Sequence, residues 1–501
     1  MRFINFIFIS EPRDKMEGIT IVKRPVSETK CEPVKKKQCM VRPKLITHVG
    51  TVLQGTYSIP KTILPKKWKE SEWFKSLKVV PKVAPINGQK PEPFLMCEEK
   101  EDTLELPKFL GLIWLGPPET DTRTLGPLVP FSFTGSLTST KQRPQQLAHD
   151  RCVTQLCDTG GALLVLPCGF GKTVVSLAIA ASLKRKTLII VTSVELAHQW
   201  SERIQQFLGC QVGWIQGDTF ETEPSIVIAM LQTLVRRQPD LTLFGTCIVD
   251  EAHHVAARSF SQVMPLVPCR YILGLSATPN RKDGLKKVLH WTLGLTAFEA
   301  KRTHDPEGVP NVMRCKVTEG RRTVITYKSG DVGRSKMITL LTADRSRNDF
   351  IVHMLGMVLR KNGGRKILML SDRREQVSCL ESMITCVYTG VYTCGTLLGG
   401  MKKEDIEKSK EAQVLLSTYH YCSEGFDLPR LDTLFLLSPR TDVEQSVGRV
   451  LRQHPEKQRP LILDFVDNFS VFDSQGDKRE QYFKKLRCNI QTFDQLHLLQ
   501  K

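Results

Sequence analysis

Nine short stretches of this chain are apolar almost from end to end, and no other feature limits the fold as strongly. Five come early: ALLVL (162–166), TLIIVT (187–192), IVIAM (226–230), TCIVD (246–250) and YILGLS (271–276). Four come late: KILMLS (366–371), QVLLST (413–418), TLFLLS (433–438) and PLILDF (460–465). A strand with one face in water alternates apolar and polar residues, whereas a strand covered by helices on both faces of a parallel sheet is apolar throughout. Helix-like stretches separate these runs. The reading is an α/β chain with two tandem, doubly wound parallel-sheet domains, one over 141–300 and one over 336–480.

The other segments are less specified. Up to residue 140 the chain is rich in Pro and Lys, and VKRPVSETKCEPVKKKQCMVRPK reads as a basic, irregular arm. Prolines recur between 57 and 133, which confines the apolar pieces there to edge strands or loops. Residues 1–140 are therefore expected to be a partly irregular accessory region. The basic, Gly-containing 301–335 reads as a linker or small hairpin, and 481–501 as a C-terminal tail.

Composition narrows the class. The opening MRFINFIFIS is a short apolar run broken by Asn5 without a small-residue cleavage site, which argues against secretion and leaves Met16 as an alternative start. No run approaches the roughly 20 apolar residues of a membrane span, so no membrane association is expected. Fifteen cysteines, an odd count without a C-x-x-C pair, point to a reduced, intracellular compartment and to neither a disulfide framework nor a zinc ribbon. A net charge of +19 favours a polyanionic partner, nucleic acid above all. The KKK at 35–37 reads equally as a solvated run or a localisation signal, leaving nucleus against cytoplasm open.

The chemistry is concentrated after the first apolar run. In LPCGFGKT (166–173) the backbone can turn tightly after Pro167 and aim the N–H groups of Cys168, Gly169, Phe170 and Gly171 inward just before a helix-like run. A helix N-terminus adds partial positive charge for phosphate oxygens. Lys172 would reach the β and γ phosphates of ATP, and the Thr173 hydroxyl would hold Mg. The strict G-x-x-x-x-G-K-[ST] spacing is not met, since Leu166 stands at its first glycine. VDEAHH (249–254) supplies the complement: Asp250 at a strand end for Mg, and Glu251 to orient or deprotonate the attacking water.

With these pieces in order, the chain resembles the superfamily 2 (DEAD/DEAH-box) helicases, most closely the XPB-like DNA branch that includes members from large DNA viruses. The resemblance runs from about 142 to 469. RPQQ (143–146) resembles R-P-x-Q, implying that Gln146 contacts adenine, and LPCGFGKT matches that branch's own phosphate loop. VDEAHH resembles the second motif and LSATP (275–279) the third, implying that Ser276, Ala277 and Thr278 couple the nucleotide site to the nucleic-acid track. TSVELAHQW and AMLQTL resemble the strand-facing motifs of the first domain. TYHYCSEGFD (418–427), with Gly425 and Asp427 at the nucleotide, resembles the fifth motif, and EQSVGRVLR (444–452) the sixth. On a helix Gln445, Arg449 and Arg452 share one face, so two guanidinium groups can enter a facing cleft and meet transition-state charge.

Two departures qualify the match. Ser446, Val447 and Leu451 occupy the variable places of the sixth motif as in DNA-repair and restriction branches, which favours DNA over RNA. Arg281-Lys282-Asp283 resembles a charged R-E-D element with Lys282 in place of the acid. The resemblance implies two RecA-like domains with ATP between them, and an ATP-dependent DNA helicase or translocase serving transcription, repair or replication in the nucleus or cytoplasm of a host cell. The alternatives are a non-catalytic basic nucleic-acid-binding scaffold, an RNA helicase, or a motor subunit active only with transcription or repair machinery.

Overall fold

The computed structural model describes residues 48–80, 92–140, 143–167, 169–252, 262–277, 286–300, 309–318, 323–327, 330, 332–423, 428, 430–450 and 457–495. Residues 48–121 form an accessory lobe. Its strands are β1 (Val52–Leu53), β2 (Thr56–Pro60), β3 (Lys78–Val79), β4 (Phe94–Leu95), β5 (Glu98–Glu99), β6 (Thr103–Pro107) and β7 (Thr120–Asp121). Five of them make a sheet in the order β5-β6-β2-β1-β7, and β3 pairs with β4. The lobe is more ordered than its prolines suggest, because Trp68, Trp73 and Trp114 build a core with Tyr57, Leu104 and Leu106. That core is completed from outside the lobe: Val288 and Trp291 of helix Lys286–Leu293 join it, with the Trp114 and Trp291 rings 6.4 Å apart. The buried Lys108 ammonium donates to the Val267 and Cys269 carbonyls at 2.9 and 3.4 Å, pinning the lobe to the loop ahead of a central strand. Burial pushes that amine down to about 8.

The first parallel sheet holds β8 (Gly161–Val165), β9 (Thr187–Val191), β10 (Val212–Gln216), β11 (Thr219–Phe220), β12 (Ile226–Met230), β13 (Thr246–Val249), β14 (Tyr271–Ser276) and β15 (Thr296–Glu299). Their order is β11-β10-β12-β9-β13-β14-β8-β15, parallel except for the β10–β11 hairpin. Alternate residues of each strand feed opposite faces. Leu164, Ile189, Ile228 and Ile248 enter one apolar layer, while Leu163, Leu188, Val227 and Cys247 enter the other. That two-sided burial is why these runs lack polar alternation.

The second sheet repeats the plan with β16 (Asn311–Val317), β17 (Ile367–Ser371), β18 (Cys394–Leu397), β19 (Val414–Thr418), β20 (Thr433–Leu436), β21 (Leu461–Asp467) and β22 (Asn489–Asp494). All seven are parallel, in the order β18-β19-β17-β20-β21-β16-β22. The sequence-based bounds are corrected here. Residues 311–317, placed in the linker, pair with β21, and 489–494, placed in the tail, form the edge strand. Polar residues hid both strands. Arg314 is buried in β16 by ion pairs with Asp464 and Glu480, and the edge strand β22 is mostly exposed. Within the segment read as a linker or small hairpin, Thr326 and Val332 form an antiparallel bridge. Among the described residues no helix is long and apolar enough to cross a membrane.

Candidate nucleotide site

Both sheets present their loops at the carboxyl ends of parallel strands, where open α/β sheets place ligands. After β8 the chain turns through Gly169 and Gly171, both at φ +83°, a left-handed backbone that disfavours any side chain with a Cβ. The 12-residue helix Lys172–Leu183 follows, and among the described residues no side chain caps its N-terminus. Its first N–H groups lack helical partners and suit an anion.

The phosphate turn is braced from behind by a residue the sequence reading passed over. Gln145 is buried; its amide donates to the Phe170 carbonyl at 2.8 Å and accepts from the Thr138 backbone at 3.0 Å. A Cβ on Gly171 would lie 2.4 Å from Gln145 Nε2. The neighbouring Gln146 is exposed, with its amide held by Asp150 at 2.8 Å, so the two glutamines face different ways. Nothing in the residue types separates them; only the first turn of helix Gln145–Thr159 does.

Asp250 directly follows β13 and is 4% exposed. One carboxylate oxygen accepts the Trp200 indole N–H and the other the Glu251 backbone N–H, each at 2.8 Å. Burial first and the Glu251 carboxylate second raise its carboxyl to about 6, against the opposing pull of Lys172. Glu251 itself has φ +43°, a strained conformation for a non-glycine residue. Its Oε1 accepts from Lys172 Nζ at 3.1 Å, so the residues expected at phosphate, metal and water already meet. Ser276 ends β14 fully buried, its carbonyl accepting the Leu166 N–H at 3.1 Å, and Ala277 follows half-buried.

Trp200 is the other residue that pattern reading missed. With Ala197, Ile204 and Leu208 it forms the buried stripe of helix Val194–Leu208, and so it reads as ordinary core. That helix starts in TSVELAHQW, capped by Ser193, and Gln232 of AMLQTL donates to the Thr192 carbonyl at 3.0 Å. In the second domain Tyr419 is buried after β19, with the Arg440 guanidinium over its ring at 4.9 Å and Arg440 paired to Asp372 at 3.4 Å. Burial, and next the Glu195 carboxylate of the first domain, push the Tyr421 phenol up to about 12. Ser446 and Val447 of helix Glu444–Val450 are buried, as is Val443 just ahead of it, while the side chains of Gln445 and Arg449 lie outside what the structure describes. Cys168, Thr278, Gly425, Asp427, Arg452 and Arg281-Lys282-Asp283 lie outside the described residues.

The residues present fit a magnesium nucleotide: an uncapped helix start and left-handed glycines for phosphate, with Thr173 and the buried Asp250 as oxygen donors for a hard dication. A family model described as the res subunit of type III restriction enzymes matches residues 140–281. A protein of Acanthamoeba polyphaga mimivirus, named as a candidate ATP-dependent RNA helicase, is 31% identical over 449 residues, covering 86% of this chain and 85% of that protein. The chain belongs to the superfamily 2 helicases. A candidate helicase of invertebrate iridescent virus 6 is 29% identical over 346 residues, spanning 63% of this helicase and 74% of its relative. A solved fragment of a candidate HsdR subunit of a type I restriction enzyme from Vibrio vulnificus shares the fold, with a TM-score of 0.51 at 17% identity over 70% of this helicase and 68% of that chain. Membership brings ATP-dependent helicase activity and nucleic acid as partner. The two parallel sheets are its RecA-like domains.

Proposed function

We propose that this helicase moves along DNA, binding ATP between its two RecA-like domains. The observation that carries the reading is the Lys172–Glu251–Asp250–Trp200 array, which gathers a phosphate-binding cation, a water-orienting carboxylate and a metal-binding carboxylate at one sheet edge. In this reading Gly169, Phe170 and Gly171 cradle phosphates with Pro167 and Cys168, Lys172 neutralises the β and γ phosphates, and Gln146 reads adenine. Thr173 and Asp250 would hold Mg, which supplies charge neutralisation at the phosphates when bound. Glu251 orients the attacking water. Gln445, Arg449 and Arg452 reach the same phosphates from the second domain, beside Gly425 and Asp427. Ser276, Ala277 and Thr278 relay occupancy to the nucleic-acid track. A ligand drives closure only by binding the closed state better, so loss of the γ-phosphate reopens the cleft.

Support for DNA comes from the sixth-motif residues Ser446, Val447 and Leu451 and from the restriction-enzyme family model. The mimivirus relative's name favours the second reading, RNA. The viral relatives support work inside an infected host cell, and the reading adds its nucleus or cytoplasm as the compartment and transcription or repair machinery as the partner. ATPase activity titrated with single-stranded DNA, duplex DNA and RNA separates the two: stimulation by DNA well above RNA is expected, and stimulation by RNA alone would overturn the DNA reading.

A further inference from the structure

Between β16 and helix Arg334–Thr342 lies a small hairpin that the ATP site does not use. Thr326 pairs with Val332, the Gly333 N–H donates to the Ile325 carbonyl at 2.7 Å, and the Gly330 N–H donates to the Tyr327 carbonyl at 2.9 Å. Ile325 packs on Met337, Ile338, Leu341 and Phe472, which anchors the base. Other residues of the hairpin face outward: Val324, Tyr327 and Val332 are 54%, 44% and 36% exposed, and the Lys336 ammonium sits 5.6 Å from the Tyr327 ring centre. Residues 319–336 carry Arg321, Arg322, Lys328, Arg334 and Lys336 against only Glu319 and Asp331.

The hairpin's place is fixed by Arg373, just past β17. Its guanidinium donates to the Ser335 carbonyl and hydroxyl, both at 2.9 Å, and to the Thr339 hydroxyl at 3.0 Å. The hairpin therefore stands at the carboxyl edge of the second sheet, beside the loops that leave β17.

An exposed aromatic ring with a cation at its side suits single-stranded nucleic acid, because a base stacks on the ring while its phosphate meets the cation. A protein partner would leave the local positive charge uncompensated unless it were acidic. We propose that Tyr327 is a base-stacking residue and that Lys336 and Arg334 are its phosphate contacts, forming a single-strand binding site on this hairpin. This rests on the nucleic-acid motor reading but names a contact that reading does not contain.

The test is fluorescence anisotropy of the full chain with labelled oligo-dT and oligo-U. Tyr327→Ala should weaken binding of one or both probes about five- to 150-fold, the range for losing one stacked base. Tyr327→Phe should bind like the native chain, because stacking needs the ring and not the hydroxyl. Lys336→Ala should lower the slope of log affinity against log salt by about 0.7. Circular dichroism and ATPase activity without nucleic acid should stay unchanged in all three. Native-like binding by Tyr327→Ala, or equal loss in Tyr327→Phe, would overturn the hairpin site while leaving the motor reading intact. A native chain that binds neither probe would overturn the motor reading itself.

Discussion

Asp250→Asn should remove ATPase activity and at the same time relieve a pH-dependent strain on the nucleotide-free protein. Burial and Glu251 raise the Asp250 carboxyl from 3.8 to about 6. Between those values the folded chain holds a proton that the unfolded chain has released, so the unfolded state binds fewer protons and stability falls as pH rises. At 1.36 kcal/mol per tenfold change, the full loss is about 3 kcal/mol, complete above pH 7, and roughly half of it falls between pH 5 and pH 8. Asparagine does not titrate in this window. Its amide offers one oxygen to two donors, the Trp200 and Glu251 N–H groups, but that mismatch is the same at both pH values and cancels in the difference. Urea unfolding without Mg or nucleotide, followed by circular dichroism at pH 5 and pH 8, reads it directly. The variant's stability relative to the native chain should rise by roughly 1 kcal/mol from pH 5 to pH 8. A relative stability that is flat or falls with pH would refute the assignment of Asp250 as a buried, mostly desolvated carboxylate.

Two further outcomes follow from the same site. Trp200→Phe keeps a buried ring but removes the N–H donor to Asp250, a loss of about 1–3 kcal/mol that should lower kcat about five- to 150-fold while leaving nucleic-acid affinity unchanged; steady-state ATPase and anisotropy measurements check it. Gly171→Ala forces a Cβ onto a left-handed residue and against Gln145, so KM for ATP should rise at least about fivefold, since the backbone term alone is about 1–2 kcal/mol. Adding Gln145→Ala should recover only part of that loss, because the backbone strain remains; full recovery would show that the clash alone matters.

The fold was legible because the nine apolar runs are strands whose alternate residues enter two cores, as Leu163 and Leu164 do. Strands outside that pattern escaped. Arg314 and Lys316 interrupt β16, and its buried guanidinium is satisfied by Asp464, which lies some 150 residues further along the chain. In the accessory lobe the tryptophans could not announce a core that needs Val288 and Trp291 from the neighbouring domain. At the site, spacing pointed to Lys172, Asp250 and Glu251 because their chemistry is local to one turn and one strand end. Trp200 and Gln145 were hidden for the opposite reason, since each acts through a contact made only when distant segments pack.

The central claim is that one triphosphate is gripped from both sheets, and Arg452→Ala tests it most directly. ATP binding and nucleic-acid-stimulated turnover should be measured on the same preparation. The account predicts that kcat falls about a thousandfold or more, as for a transition-state arginine, while the Kd for ATP changes less than about threefold. Unchanged turnover, or binding and turnover falling in parallel, would contradict it.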